Sequence, residues 1–283
     1  MSVEDVIERL EKSKKLFAME KLSGSITQID IIINELKTTK NLDTINYAFK
    51  TLQTSLLVGY NNGISHRIQL SNFYSKRFNS VTKTNAKSFA EEELDKQWAK
   101  IIIQRGKSRQ VIFSLDRILK EGVTSQFKIH KDDAKHDSDR AISIAYLYLA
   151  MIDGIYGKNL KDILILDTLY KHEIPDLEKL KKMDMRRIKE YFEKVDHSEC
   201  LFDGFDYHIR NAIAHSSFWY DIEQKVIHFE DRYRNPPVIK EITIDELYEM
   251  SVKLSDIDVL VFYYGEIQII NIEIKKGLGL SIS

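Results

Sequence analysis

The feature that most constrains this chain is its scarcity of proline. Its 283 residues include only 3 prolines and 11 glycines, and no proline precedes Pro175. Proline removes a backbone donor and clashes with the preceding helical turn, so long helices can run without interruption where it is absent. The first 170 residues are therefore predicted to be nearly all helix.

Apolar residues recur at helical spacing along this proline-free stretch. The stripes that predict three short helices begin at Val3, Ile26 and Tyr47. A break between helices is expected at Asn61–Gly63, and a longer helix is predicted over residues 86–120. Residues 1–128 are thus expected to form an N-terminal helical region of unknown role.

A polar, highly charged segment divides the sequence. Residues 128–139 show no apolar pattern and are interpreted as a linker, which makes residues 137–283 a second domain. The helices predicted next run from Asp139 to about Gly157, over residues 161–170 and over residues 175–194.

The end of the chain carries signals for both strand and helix. Polar residues 223–225 separate two apolar stretches, which predicts a small β-hairpin. Thr243 and Glu246 have the spacing of a capping box, so a final helix is expected to begin there. For Tyr264–Lys275 the pattern leaves helix and strand both open.

The composition indicates a cytoplasmic protein. The 42 basic and 43 acidic residues nearly cancel, so any contact with nucleic acid must be local. A single cysteine, Cys200, excludes an internal disulfide and suits a reducing compartment. The N-terminus lacks a signal-peptide pattern, and the longest apolar run, Val259–Tyr264, is too short to cross a bilayer. His130 and His136 lie in the charged linker without the spacing of metal ligands, so no metal or cofactor is expected.

The segment from Arg210 to His215 places a guanidinium, an amide and an imidazole on one predicted helix. Asp203 is expected to cap this helix. Asp206, four residues before Arg210, is expected to form an ion pair with it. The polar strip expected beside the guanidinium consists of Tyr207, His208, Asn211 and His215.

These groups suit the transfer of an RNA phosphodiester to its own 2′-hydroxyl. His215 can act as base or acid near neutral pH, and Arg210 can stabilise the charge of the phosphorane. Asn211 would position the substrate or the imidazole. The products would be a 2′,3′-cyclic phosphate and a 5′-hydroxyl, and no metal is needed. Because acid and base catalysis together use two imidazoles, a two-fold dimer that pairs this helix with its mate is expected.

Arg210, Asn211 and His215 together resemble the motif of the HEPN superfamily (higher eukaryotes and prokaryotes nucleotide-binding). In that family an Arg, a following polar residue and a His four to six positions on mark the last core helix of a helical domain. The resemblance covers about Asp137 to Ile257 and implies a mainly α fold, with a HEPN-like bundle after the N-terminal region and a small hairpin after the motif helix. It also implies a metal-independent endoribonuclease with a site shared across a homodimer. Many bacterial members are toxins or abortive-infection effectors in phage defence, which implies a regulatory or antitoxin partner.

Other interpretations stay open. The domain could be a non-catalytic module that binds a nucleotide or a partner protein, or the chain could be a helical adaptor built by residues 1–128. Arg210 and His215 could also have only structural roles, in an ordinary ion pair and in packing. Asp153 is interpreted as a helix-surface carboxylate, with an acidic helper of the site as the alternative.

A group of basic residues precedes the motif helix. The candidate RNA-binding residues are Lys181, Lys182, Arg186 and Arg187. The alternative is a solvated surface whose charge is relieved by nearby acidic residues, and the sequence favours this alternative.

Overall fold

The computed structural model describes residues 3–19, 23–61, 63–83, 134–171, 173, 175–233 and 235–278. Within these residues the fold is mainly helical with a small antiparallel sheet, as predicted. The predicted helix over residues 86–120 lies outside the described residues, as does the first half of the predicted linker. None of the described helices combines the length and the apolar character needed to cross a bilayer.

Four helices lie within residues 3–83. Their bounds are α1 Val3–Met19, α2 Ser23–Lys37, α3 Leu42–Asn61 and α4 Ser65–Lys83. The chain packs α1 on α2, α2 on α3 and α3 on α4, and the predicted break after Asn61 is confirmed. On α3 the buried Ile45, Ala48 and Leu52 follow helical spacing. Tyr47, which the predicted stripe included, is 73% exposed because it lies off that register.

A continuous helical run opens the next described stretch. It consists of α5 Ala134–Met151, a π-helical turn Ile152–Tyr156 and α6 Gly157–Tyr170. The run begins before Asp139, so the second half of the predicted linker is helical. The predicted helix end near Gly157 is wrong, because the Gly157 N–H bonds to the carbonyl of Ile152 and carries the helix through the glycine.

The predicted helix over residues 175–194 is divided in two. The bounds are α7 Leu177–Lys181 and α8 Met185–Phe192, and a short 3-10 turn follows at Glu199–Leu201. Asp176 and Asp184 cap the two helices, since each carboxylate accepts a hydrogen bond from the backbone N–H three residues on. Such a side chain starts a new helix and competes with continuation of the previous one.

The motif helix is followed by a three-stranded sheet. The bounds are α9 Tyr207–Ala214, β1 Phe218–Asp221, β2 Val226–Asp231 and β3 Val238–Ile242. The strands are antiparallel in the order β1-β2-β3, and Asp221 pairs with Val226 across the predicted hairpin, which is confirmed. β3 was not predicted, because it is short and half exposed and directly follows two prolines.

The two faces of the sheet differ in character. Ile227, Phe229 and Asp231 alternate along β2 and are buried on the inner face, which packs on α9. On the outer face the rings of Trp219 and His228 stack 4.9 Å apart and nearly parallel. The inner face therefore carries the apolar core of this region and one buried carboxylate.

The last helix, α10, spans Ile244–Gly277. The predicted capping box is confirmed: the Thr243 N–H donates to Glu246 Oε2 at 2.7 Å, and the Glu246 N–H donates to Thr243 Oγ1 at 3.2 Å. The stretch Tyr264–Lys275, left open by the sequence, is helical.

The chain divides into two compact units, one of residues 1–102 and 260–283 and the other of residues 103–259. The end of α10 belongs with the N-terminal helices. The ring of Tyr264 lies 4.7 Å from that of Tyr74, and the ring of Tyr263 lies 6.3 Å from that of Phe17. This division differs from the predicted one, since residues 260–283 group with residues 1–102 rather than with the residues before them.

Candidate active site

Asp206 sets the start of the motif helix. Its carboxylate accepts hydrogen bonds from the N–H groups of His208 and the next residue, at 2.8 and 3.1 Å, as an N-cap does. The start predicted at Asp203 is wrong by three residues. The predicted ion pair with Arg210 is also wrong, because the Asp206 carboxylate serves the first turn and lies 3.6 Å from Nζ of Lys240.

Tyr148 of α5 supports the start of α9. Its buried hydroxyl accepts a hydrogen bond from the Asp206 N–H at 2.8 Å and donates to the carbonyl of Gly204 at 3.0 Å. Burial raises the pKa of Tyr148 well above its usual value, so the hydroxyl stays protonated and keeps donating. Gly204 itself lies against α10, since a Cβ atom there would be 2.5 Å from the carbonyl oxygen of Met250.

Arg210 is held by Asp153 of the π turn. The contact is bidentate, with Nε 3.1 Å from Oδ1 and Nη2 2.9 Å from Oδ2. The two side chains are 33% and 47% exposed, so the pair lies at the surface. Single π turns are frequent at functional sites. Asp153 is therefore a surface carboxylate, as interpreted from the sequence, and it is also the partner of the guanidinium.

A buried carboxylate, Asp231, joins two other motif residues. Oδ2 of Asp231 lies 2.9 Å from Nδ1 of His208 and accepts a hydrogen bond from Nδ2 of Asn211 at 3.3 Å. Oδ1 accepts one from the N–H of Tyr233 at 3.2 Å. Burial alone would raise the pKa of Asp231, but these hydrogen bonds lower it below the usual value, so the carboxylate is ionised at neutral pH. Asn211 in turn accepts a hydrogen bond from Nη1 of Arg210 at 3.3 Å, which makes the network continuous.

His215 is placed by the C-terminal end of α9. It is the C-cap residue, its side chain is exposed, and its ring lies 4.4 Å from that of Tyr233. The N–H of Ser216 bonds to the carbonyl three residues back and that of Ser217 to the carbonyl five residues back. This pair of bonds forms a Schellman motif, which places the imidazole where the helix stops.

We expect Ser216→Gly to stabilise the protein by about 0.5–1 kcal/mol. Ser216 has a φ of +54°, a left-handed conformation that costs an L-residue about 1–2 kcal/mol, part of which glycine regains. Urea unfolding measures the change.

Ser217→Gly is the matched control. It should destabilise the protein, because the Ser217 hydroxyl donates to the carbonyl of Glu230 at 2.7 Å. Equal effects of the two substitutions would contradict this account of the helix end.

The predicted polar strip is not one exposed surface. Asn211 is buried, Tyr207 is exposed, and the ring of Tyr207 lies 5.8 Å from that of His208. The structure brings His208, Asn211 and Arg210 together through acidic side chains, and it places His215 at the far end of the helix.

The predicted basic group is divided between two helices. Lys181 ends α7, Lys182 lies in the turn, and Arg186 and Arg187 belong to α8. The side chains of Lys182, Arg186 and Arg187 are exposed. Nε of Arg186 lies 2.9 Å from Oε1 of Glu190, so part of this positive charge is neutralised locally.

Asp231 and Tyr233 were not predicted as site residues, and Asp153 was predicted only as an alternative. Asp231 carried a usable signal: strand periodicity places it on the same face as Phe229, and a carboxylate on a buried face needs hydrogen-bonding partners. The pairing of Asp153 with Arg210 could not be predicted from local sequence patterns, because 57 positions separate the two residues.

Metal ligation and similarity to known proteins add no functional assignment. Among the described residues, no group of three or more His, Cys, Asp or Glu side chains is placed to hold a metal ion. The chain matches no protein-family model, no curated protein and no solved structure. Function is therefore inferred from the side chains of the site.

Proposed function

We propose that this protein is a metal-independent endoribonuclease of the HEPN type. The observation that carries the proposal is the placement of Arg210 and His215 on one short helix. The guanidinium is anchored at the surface by Asp153, and the imidazole is exposed at the helix end. Five helical positions separate the two residues by about 7.5 Å along the axis and about 140° around it, so a phosphodiester bound by both would lie in the groove between the two side chains.

In the proposed reaction the 2′-hydroxyl of a ribose attacks the adjacent phosphorus. One imidazole takes the 2′-hydroxyl proton, the P–O5′ bond breaks, and an imidazolium protonates the leaving O5′. The products are a 2′,3′-cyclic phosphate and a 5′-hydroxyl. His215 is the acid or the base of this step, and Arg210 stabilises the negative charge on the phosphorane oxygens.

Asp153 and Asn211 prepare the guanidinium for this role. Their contacts with Arg210 use three of its five N–H groups, which leaves two that can bond to phosphate oxygens. Asn211 is buried between Arg210 and Asp231, so we assign it to positioning the guanidinium rather than to contact with substrate.

The resemblance to HEPN proteins also supports a setting for the activity. We place the protein in the cytoplasm as a toxin or phage-defence effector, controlled by a regulatory or antitoxin partner. A homodimer that pairs α9 with its mate would bring a second His215 to the RNA. The near-neutral net charge of −1 fits a local contact with RNA rather than long-range attraction.

The test is to incubate the purified full-length protein with total RNA and with tRNA in the presence of EDTA, and to analyse the fragment ends. We expect cleavage that leaves 2′,3′-cyclic phosphate and 5′-hydroxyl ends, and Arg210→Ala should lose it. Lys12→Ala is the control, because this exposed lysine of α1 is paired with Glu8 and belongs to neither the motif nor the candidate RNA-binding group. Cleavage that requires a divalent cation, or that leaves 5′-phosphate ends, would refute the proposed chemistry.

One observation favours a second candidate, a non-catalytic HEPN-like module that binds a nucleotide or a partner. The bidentate contact with Asp153 neutralises Arg210, as an ion pair with only a structural role would. Fluorescence anisotropy with a labelled single-stranded RNA separates the two candidates. Saturable binding that depends on Arg210, without any cleavage in the presence of genomic-neighbour proteins, would support the binding module.

A further inference from the structure

Two imidazoles, one on α9 and one at its C-cap, contact the same short segment, Asp231–Tyr233. His208, in the first turn, lies 2.9 Å from Asp231, and the ring of His215, at the helix end, contacts that of Tyr233 at 4.4 Å between ring centres and a tilt of 48°. Asp231 and Tyr233 are two positions apart, so their Cα atoms lie within about 7 Å of each other. The fold therefore directs both rings toward one turn, although seven positions separate them on the helix.

The contact between His208 and Asp231 determines which nitrogen carries the proton. The carboxylate is fully buried, its pKa is lowered, and it accepts further hydrogen bonds from Asn211 and the Tyr233 N–H. An ionised carboxylate only accepts, so Nδ1 of His208 must donate to it. Nε2 then keeps its lone pair in the neutral ring, and the His208 side chain is 29% exposed. A buried carboxylate that orients a partly exposed imidazole in this way is the usual support of a general base.

We propose that His208, oriented by Asp231, is the second proton-transfer residue of the ribonuclease site, and that it acts in the same chain as His215. The inference rests on the proposed function and changes the source of the second imidazole, which a dimer partner no longer has to supply. Asp231 is a positioning residue in this scheme, because it acts through His208 and does not touch the substrate.

The step balances with these two residues. Nε2 of His208 takes the proton of the 2′-hydroxyl, O2′ forms a bond to phosphorus, and the P–O5′ bond breaks. His215, protonated, gives its proton to O5′, so the product is neutral 5′-hydroxyl beside a cyclic phosphodiester. His208 then loses its proton to water and His215 regains one. The buried negative charge of Asp231 stabilises the imidazolium that forms at His208.

Other charged groups surround His208. Asp206 accepts the hydrogen bond of its backbone N–H, and Lys240 of β3 lies beside that carboxylate. On the helix side, Arg210 is two positions on and is neutralised by Asp153. These two opposite-charge pairs offset one another, which leaves Asp231 as the charge that governs His208.

The experiment measures the rate of RNA cleavage and the imidazole ¹⁵N spectrum for the wild-type protein and for His208→Ala, His208→Gln and Asp231→Asn. We expect both His208 variants to lose at least about 10²-fold in rate. Asp231→Asn should also lower the rate, because an asparagine side chain no longer fixes the proton on Nδ1 of His208. A merely structural role of Asp231 would leave the imidazole signals of His208 unchanged. The imidazole ¹⁵N spectrum should show a protonated Nδ1 at His208 in the wild type and a change of that signal in Asp231→Asn.

Mixing the inactive His208→Ala and His215→Ala proteins tests whether the two imidazoles act in one chain. No recovery of cleavage is expected, since neither chain carries both rings. Recovery on mixing would overturn the single-chain site, and a His208→Ala protein that cleaves within tenfold of the wild type would overturn the role of His208. Both results leave the proposed function intact, whereas a wild-type protein that cleaves no RNA would refute the proposed function and this inference together.

Discussion

His215→Ala is expected to lower the rate of RNA cleavage by about 10²–10⁴-fold while the protein stays folded. The ring is exposed at the end of α9 and its described contact is a tilted one with the ring of Tyr233, so its removal deletes a proton-transfer group and little packing. We expect the free energy of unfolding to change by less than about 1 kcal/mol. Single-turnover cleavage of a defined RNA in EDTA, together with urea unfolding of the same samples, measures both quantities.

His228→Ala is the matched control for this loss. His228 also contacts an aromatic ring of the same sheet region, but it lies on the outer face, where it stacks on Trp219. Its removal should leave the cleavage rate unchanged and affect only stability. If His215→Ala cut RNA at the wild-type rate, or if both variants lost activity equally, the role assigned to His215 would be wrong.

Gly204→Ala is expected to destabilise the protein by about 3 kcal/mol. A Cβ atom at this position would lie 2.5 Å from the carbonyl oxygen of Met250 and 2.9 Å from Cβ of Lys253. Both atoms belong to α10, and the first is backbone, so the helix or the turn must move. Because Gly204 also accepts the hydrogen bond of Tyr148, such a movement would disturb the start of α9 and lower the cleavage rate as well.

Gly157→Ala is the control for the Gly204 prediction. A Cβ atom there would lie 3.3 Å from Sδ of Met185, the flexible end of a side chain that can turn away. Gly157 has helical torsions, where alanine is the better helix former by up to about 1 kcal/mol. Thermal and urea unfolding should therefore show a change within about 1 kcal/mol for Gly157→Ala. A similarly small change in the free energy of unfolding for Gly204→Ala would contradict the close packing of α10 against this turn.

The elements that the sequence predicted correctly have local causes. The hairpin follows from polar residues between two apolar strands, and the start of α10 follows from the reciprocal hydrogen bonds of Thr243 and Glu246. The errors arose where two local signals competed. Asp184 caps a new helix inside a stretch that the apolar pattern made continuous, and Gly157 lies within a helical run that a glycine was expected to end.

The candidate site could be predicted only in part. Arg210, Asn211 and His215 were found because they are close in sequence and chemically distinctive. Their partners could not be found in the same way, since Asp153 and Asp231 reach them through tertiary packing of the π turn and β2 against α9. The nearest candidate in sequence, Asp206, was assigned to Arg210 because the i, i+4 rule allows it. In the structure that carboxylate instead caps the N-terminus of α9, where the first backbone N–H groups have no partner within the helix.

The two segments that form one compact unit are made at different times during synthesis of the chain. Residues 1–102 are synthesised before the other unit, and the segment that completes their unit, residues 260–283, is synthesised after it. At a synthesis rate of about 5–20 residues per second, roughly 10–30 s pass between the synthesis of α4 and that of Tyr264, the residue that contacts Tyr74. During that interval the rings of Phe17 and Tyr74 lack the aromatic partners that α10 later supplies.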